Sequence, residues 1–118
     1  MGDSEDLYEK WKSQFRKGFL ELCILRFLGE KGRAYGLEIM ENLAEAGIEI
    51  SEGTLYPLLM RMTKDGSVVA TWEVPEAGHP RKYYSFTESG ERLCSEMTEE
   101  YDRSYSALKR IGQKAGKI

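Results

Sequence analysis

The chain has 118 residues, of which 41% are hydrophobic and 31% charged, and its formal net charge at pH 7 is −3. This length supports a single hydrophobic core, and this composition excludes an intrinsically disordered or collagen-like chain. The apolar stretches are far shorter than the roughly 20 residues of a membrane span, and the acidic first residues do not resemble a signal peptide. We therefore expect a cytoplasmic protein without a membrane partner.

Few side chains suited to catalysis or metal binding are present. Cys23 and Cys94 lie far apart in the sequence and form no CxxC pair, and His79 is the single histidine. A metal site built from cysteine and histidine needs more of these residues than the chain contains. The same holds for a catalytic set of nucleophile, base and orienting group. The sequence therefore predicts no enzyme, no cofactor and no metal site.

Apolar residues at helical intervals predict two helices at the start of the chain. The first helix covers Leu7–Leu28, and Gly29 with Gly32 should end it. The second helix covers Tyr35–Ala46, after a loop at residues 31–34.

The third helix has two alternative starts. Residues 48–50 alternate like a short extended segment, and Ser51 after them is a favourable N-cap. With that cap, Pro57 would lie inside the helix and remove a hydrogen bond. With Thr54 as the cap, Pro57 would lie in the first turn, where proline is tolerated. In either case the helix should end at Asp65-Gly66.

A β-hairpin and a long last helix complete the pattern. Val68–Val74 and Arg81–Phe86 are rich in β-branched and aromatic residues, and turn residues lie between them at 75–80. Thr87 is a suitable N-cap for the last helix. The hairpin aromatics Trp72, Tyr83, Tyr84 and Phe86 could stack on nucleic-acid bases, but side chains of this kind beside helices more often fill a core, and we expect the latter.

The apolar stripe of the last helix is longer than a small core can cover. It consists of Leu93, Met97, Tyr101, Tyr105, Leu108 and Ile111. We therefore expect it to pack on a second copy of the chain, together with Leu7, Trp11 and Phe15 of the first helix.

Three helices, a hairpin and a further helix define the expected fold class. It is mainly α with a β-hairpin, and it is the arrangement of a winged helix-turn-helix followed by a long C-terminal dimerisation helix. We expect residues 1–87 to form the winged-helix DNA-binding domain with its N-terminal helix, and residues 88–118 to form the dimerisation helix.

Several sequence blocks resemble the PadR family of transcriptional regulators. The resemblance covers about residues 18 to 93. Its blocks are Tyr35–Ile39, Ser51–Leu59, Asp65–Gly66, Trp72, Arg81–Tyr84, Phe86–Thr87 and Gly90. The resemblance implies a winged-helix homodimer whose C-terminal helix supplies the dimer contact. Many such proteins repress genes for detoxification or efflux and release DNA when a small aromatic or hydrophobic compound binds.

The third helix supplies most candidate DNA contacts. Ser51, Thr54 and Tyr56 place hydroxyl groups near its start, where they can meet phosphates and base edges. Alternatively, Ser51 or Thr54 only caps the helix and Tyr56 packs in the core. Arg61 and Lys64 follow; an arginine there can read guanine, or be an ordinary surface charge.

The predicted wing supplies the other contacts. His79, Arg81 and Lys82 lie in or beside the hairpin loop, where cations can enter a minor groove, although a merely solvent-exposed loop remains the alternative. Glu73 and Glu76 weaken the positive field of this hairpin.

Two further groups of residues are candidates for DNA contact. Tyr35, from the first matching block, completes the set of candidate DNA contacts. Arg16 and Lys17 of the first helix are either phosphate contacts or a solvated helix face.

The dimer helices supply the candidate residues for an effector site. In multidrug-sensing relatives, paired tryptophans of the C-terminal helices line a central pore, and Tyr101 holds the corresponding place here. Trp11, Phe15, Met97 and Tyr101 could line a flat apolar pocket for a small aromatic or hydrophobic effector. The alternative is an ordinary dimer core without a cavity.

These observations favour a homodimeric, sequence-specific regulator of transcription, a repressor that binds a palindromic operator in double-stranded DNA. The alternative is a winged-helix module that binds other proteins and not DNA, which the acidic average charge would suit.

Overall fold

The computed structural model describes residues 3–113. Residues 1–2 and 114–118, the outer ends of the two expected domains, lie outside the described residues. In chain order the elements are α1 (Asp3–Lys31), β1 (Ala34–Tyr35), α2 (Gly36–Glu45), α3 (Glu52–Asp65), β2 (Val68–Glu73), β3 (Arg81–Phe86) and α4 (Glu88–Arg110). This order confirms the expected winged-helix class with a long C-terminal helix. No helix within the described range is both long and apolar enough to cross a lipid bilayer.

The core lies where α1, α2 and α3 meet the sheet. Its members are apolar side chains that each helix presents at helical spacing, together with three strand residues. They are Ile24, Leu25, Leu28, Ala34, Ile39, Leu43, Leu55, Leu59, Met62, Val68 and Tyr84. Because all three helices contribute to one cluster, burial of these side chains fixes how each helix is rotated about its own axis.

The sheet has three strands in the order β1-β3-β2, not the two of a simple hairpin. Ala34 pairs with Tyr84 and Tyr35 with Tyr83 in an antiparallel register. The sequence prediction of a loop at 31–34 missed this strand, since two residues are too few to show an alternating pattern. Ile48–Ile50, expected to be extended, belongs to no strand of the described chain.

Gly29 does not end the first helix, contrary to the prediction. The helix continues to Lys31, and Gly32, with φ of +95°, follows its end. A Cβ at Gly29 would overlap the ring of Phe86, so this glycine permits the sheet to pack on α1. The helix also includes residues before the predicted start at Leu7, from Asp3 onward.

The earlier of the two alternative starts of the third helix is correct. Ser51 is the N-cap residue of α3, and Pro57 lies inside the helix. The Ser51 side chain forms no capping hydrogen bond; its hydroxyl lies 3.4 Å from the Thr54 hydroxyl, to which it donates. Gly53, whose carbonyl would have accepted the missing proline N–H, is exposed, so water can satisfy it.

The start of α4 is attached to the end of α3. Thr87 is the N-cap as predicted: its hydroxyl oxygen accepts from the Gly90 N–H at 3.0 Å and donates to the Gly66 carbonyl at 2.7 Å. Gly90 itself is buried, and a Cβ there would overlap the carbonyl oxygen of Ser67. These contacts fix the direction in which α4 leaves the sheet.

The two long helices make the molecule elongated, with principal extents of 64 × 36 × 24 Å. α1 and α4 pack on each other, and the Phe19 and Tyr101 rings lie 5.9 Å apart. Both helices also leave large apolar side chains exposed. These side chains are Leu7, Tyr8, Trp11, Phe15, Tyr101, Tyr105, Leu108 and Ile111.

Gly90→Ala should lower the free energy of unfolding by about 1–3 kcal/mol, because the added methyl overlaps the backbone of Ser67. Urea unfolding followed by circular dichroism at fixed protein concentration measures the change. Gly53→Ala is the matched control: its methyl would meet only the Ser51 hydroxyl at 3.6 Å. Equal effects of the two substitutions would contradict the proposed close approach.

Candidate nucleic-acid interface

The outward face of α3 is determined by its buried face. Leu55, Leu59 and Met62 are fully buried against the core. The opposite side of the helix carries exposed residues with a spacing of three and four, which we call the outer edge of α3. These are Gly53, Pro57, Met60 and Lys64. The sequence prediction selected Lys64 from this edge and missed Pro57 and Met60, although the positions of the buried leucines could have indicated them.

A groove of about 720 Å³ lies between α3 and the sheet. It joins α3 to the wing, by which we mean β2, β3 and the loop between them at residues 74–80. Five predicted DNA-contact residues lie along it: Tyr35, Tyr56, Lys64, Arg81 and Lys82. Met60 and Trp72 also line this groove. The fold thus places cations from a helix and from a strand on the two sides of one open surface.

Tyr56 is positioned by close contact with the backbone of the second helix. A Cβ at Gly36 would overlap the Tyr56 hydroxyl, so only glycine permits the ring to lie there. The Tyr56 side chain is nevertheless 41% exposed. It is therefore neither the core residue of one alternative nor a freely rotating side chain, and it presents one fixed edge to the groove.

The wing cations are held by aromatic rings on both faces of the sheet. The Arg81 guanidinium lies 4.4 Å from the centre of the Tyr35 ring, and the Tyr35 ring meets Tyr83 edge-on at 5.4 Å. On the other face, the Lys82 ammonium lies 5.9 Å from the Trp72 ring centre. Cation–π contacts of this kind orient a cation and leave its N–H groups accessible.

Glu73, which the sequence suggested would weaken the positive wing, is paired with a cation. The Arg33 guanidinium donates to its carboxylate at 2.8 Å and lies 4.0 Å from the Tyr83 ring centre. The hydrogen bond and charge of Arg33 lower the pKa of Glu73. Sequence reasoning missed Arg33, whose partner is 40 residues away in the chain. Glu76 lies exposed in the wing loop.

The expectation that the hairpin aromatics fill the core is wrong for Trp72. Tyr84 is buried at 5% exposure, and Tyr83 and Phe86 are partly buried, whereas Trp72 is 62% exposed. The residues of β2 after Ala70 are all exposed, and Trp72, the next residue on the face of Ala70, lies beyond the core.

A second groove, of about 600 Å³, lies between α1 and α3. The predicted contacts Ser51, Thr54 and Arg61 line it. Three positively charged residues of α1 and two negatively charged residues also line this groove. The cations are Lys12, Arg16 and Lys17, and the acids are Glu9 and Glu49. The two grooves lie on either side of α3, and the predicted DNA contacts are divided between them.

Arg61 and His79 differ from the other candidates. The Arg61 guanidinium bridges the Glu21 carboxylate at 3.0 Å and that of Asp65 at 3.1 Å, and these acids raise its pKa. It therefore ties α3 to α1. His79 lies exposed in the wing loop, outside the lining of either groove.

The residues expected at the dimer and effector sites form a ladder of rings. Trp11 and Phe15 stack at 5.3 Å, Phe15 and Phe19 at 5.2 Å, and Phe19 meets Tyr101. Phe19 was missed as a member of this site. Met97 and Leu93 pack partly against the core. Tyr105, Leu108 and Ile111 lie exposed farther along α4.

Comparison with known proteins decides the family. The model of the PadR-like family of transcriptional regulators matches residues 24–96. The chain belongs to this family. It is therefore a transcriptional regulator of a DNA-binding class.

Three similar proteins illustrate the relationship. A PadR-like transcription factor from Bacteroides fragilis is 39% identical, with a TM-score of 0.75 over 86% of this chain and 98% of the other. A PadR family transcriptional regulator from Eggerthella lenta is 30% identical, with a TM-score of 0.78 over 94% and 93% of the two chains. The transcriptional regulator Rv3488 of Mycobacterium tuberculosis is 30% identical over 70% of this chain and 76% of its own.

Arg33→Gln should raise the pKa of Glu73 toward its ordinary value, because the hydrogen bond and the charge that lower it are both removed. The folded-state pKa lies below that of the unfolded chain. The pair therefore stabilises the fold above the unfolded pKa, and this stabilisation is lost as pH falls through the folded pKa. NMR titration of the side-chain carboxyl carbon measures the shift.

The control for this titration is Arg103→Gln, which removes a guanidinium from the Arg103–Glu100 pair on α4 and should leave the titration of Glu73 unchanged. If Glu73 titrates identically in Arg33→Gln and in the unchanged chain, the ion pair does not set its pKa.

Proposed function

We propose that this PadR-like regulator acts as a homodimeric repressor that binds a palindromic operator, with α3 in the major groove and the wing at the neighbouring minor groove. The observation that carries the proposal is the groove between α3 and the wing, which Lys64, Arg81 and Lys82 line together with Tyr35 and Tyr56. Cations on two sides of an exposed helix suit the two phosphate backbones that border a groove.

The division of contacts follows from the two grooves. On the wing side, Lys64, Arg81 and Lys82 supply positive charge. On the α1 side, Ser51 and Thr54 expose hydroxyl groups that can donate hydrogen bonds to phosphate oxygens. Lys12, Arg16 and Lys17 lie along the same side and extend the phosphate-binding surface onto α1.

Two predicted contacts have more restricted roles in this proposal. His79, at the tip of the wing, reaches DNA only if the wing follows the backbone into the minor groove. Arg61 keeps α3 in place through Glu21, and its charge is already compensated by two carboxylates. It therefore contributes to the position of α3 more than to direct reading of a base.

The exposed apolar surface of α1 and α4 supports dimerisation. Residues 1–87 would form the DNA-binding part and residues 88–118 the dimerisation part, with the start of α1 contributing to the contact. Tyr105, Leu108 and Ile111 are more than half exposed in the single chain. A contiguous apolar surface of this kind is typical of a protein interface. A two-fold axis would place the two α3 helices about 34–36 Å apart, in successive major grooves.

Repression and effector release complete the proposal. A dimer that covers two successive major grooves excludes other proteins from that DNA, which is the simplest form of repression. The ring ladder of Trp11, Phe15, Phe19 and Tyr101 offers stacking faces to a flat aromatic or hydrophobic compound. Such a compound would change the separation of the two DNA-binding parts by shifting the helices that join them. Because the protein would act on DNA, we place it in the cytoplasm.

Arg81→Gln combined with Lys82→Gln should weaken binding to all duplexes alike, because phosphate contacts carry no sequence information. The slope of log affinity against log salt should fall by about 0.9 per lost phosphate contact, and so by up to about 3.6 in a dimer. Fluorescence anisotropy of a labelled duplex at several salt concentrations measures both quantities.

The matched control is Arg103→Gln combined with Arg110→Gln, which removes the same charge from the polar side of α4. Its affinity and salt slope should equal those of the unchanged chain. Unchanged affinity in the wing variant would contradict the role of the wing, and absence of any DNA binding would favour a winged-helix module that binds proteins.

Leu108→Glu should convert the dimer to a monomer, since it places a charge in the apolar contact. Light scattering coupled to gel filtration should give the unchanged chain twice its mass of 13.5 kDa and the variant close to 13.5 kDa. Ser106→Glu, on the polar side of the same helix, should leave the dimer intact. A monomeric unchanged chain at micromolar concentration would remove the two-fold operator from the proposal.

A further inference from the structure

The outer edge of α3 limits what this helix can recognise. Its four residues are all exposed, and Met60 is 72% exposed. Of the four, Lys64 alone has a side chain that forms strong hydrogen bonds. A helix in the major groove places its outer edge against the edges of the bases. Recognition by the middle of this edge must therefore depend on apolar contact.

Met60 has one chemically suitable partner on a base pair. Its thioether has no hydrogen-bond donor and is at most a weak acceptor, so a polar base atom pressed against it would lose water without a replacement. The apolar group that a base pair presents in the major groove is the C5-methyl group of thymine. Methionine is unbranched and flexible, and it adapts readily to such a group.

The surroundings of Met60 favour DNA over an apolar protein partner as the occupant. Met60 lines the groove that also contains Lys64 and Lys82. Leu37 and Trp72 border the same groove, with 50% and 62% of their surfaces exposed. A protein interface tends to exclude charge from its centre, whereas a DNA interface combines apolar contacts to base edges with cations that bind the phosphates.

We propose that Met60 is a specificity-determining residue that contacts the C5-methyl group of one thymine in each half-site. The inference rests on the proposed function, because it requires α3 to lie in the major groove. Loss of that methyl group should weaken binding about fourfold per half-site, the factor that corresponds to about 0.8 kcal/mol for one buried methyl-sized group. Pro57, one turn earlier on the outer edge, adds no polar side chain to that edge.

The test uses the full chain and a duplex that it enriches from a random pool. Each thymine is replaced in turn by deoxyuridine, which lacks only the C5-methyl group, and affinity is measured by fluorescence anisotropy. The unchanged chain should lose affinity at one position in each half-site, by about fourfold. Met60→Ala should bind thymine and deoxyuridine equally at that position, and Met60→Leu should retain the preference.

Val69→Ala is the matched control, since it shortens an apolar side chain that is 48% exposed on β2 and does not line the groove. It should give the same pattern as the unchanged chain. A uniform affinity across all deoxyuridine positions, or a thymine preference that persists in Met60→Ala, would overturn the inference while leaving sequence-specific binding intact. Failure of the chain to enrich any duplex would instead overturn the proposed function, and this inference with it.

Discussion

The rotation of α3 about its own axis is the constraint on which the rest of the structure depends. Leu55, Leu59 and Met62 are fully buried, and burial of each such side chain contributes about 1.5–3 kcal/mol. A different rotation would expose these residues and is therefore strongly disfavoured. Because the buried face is fixed, the outer edge of α3 is fixed as well, and the wing and α1 can place cations on its two sides.

The long helices connect the surface proposed to face DNA to the surface proposed for dimerisation. α1 supplies core residues near its end and exposed aromatic rings near its start, and Arg61 ties it to α3 through Glu21. The N-cap residue of α4, Thr87, donates a hydrogen bond to the Gly66 carbonyl at the end of α3. A change in the packing of these helices would therefore be transmitted to the position of α3 by short, direct contacts. This is the physical basis of the proposed coupling between an effector and DNA.

Much of the fold could be predicted from the sequence, and the errors have physical causes. Thr87 and Gly66 were recognised because capping chemistry is local. The strand at Ala34 was missed because it is defined by pairing with Tyr84, fifty residues later. Gly29 was misread as a stop signal because its reason, the Phe86 ring, comes from a distant strand.

The candidate site shows the same limit. Tyr35, Tyr56, Lys64, Arg81 and Lys82 were chosen from motifs and charge, and the fold brings them together along one groove. Arg33 and Met60 were missed because their roles depend on a distant carboxylate and on the rotation of a helix.

The measurement that tests the central claim most directly is selection of bound duplexes from a random pool at low and at physiological salt. The account predicts an inverted repeat whose half-sites are about one helical turn apart. The account is contradicted if no sequence is enriched, or if the chain binds DNA only non-specifically and salt abolishes that binding.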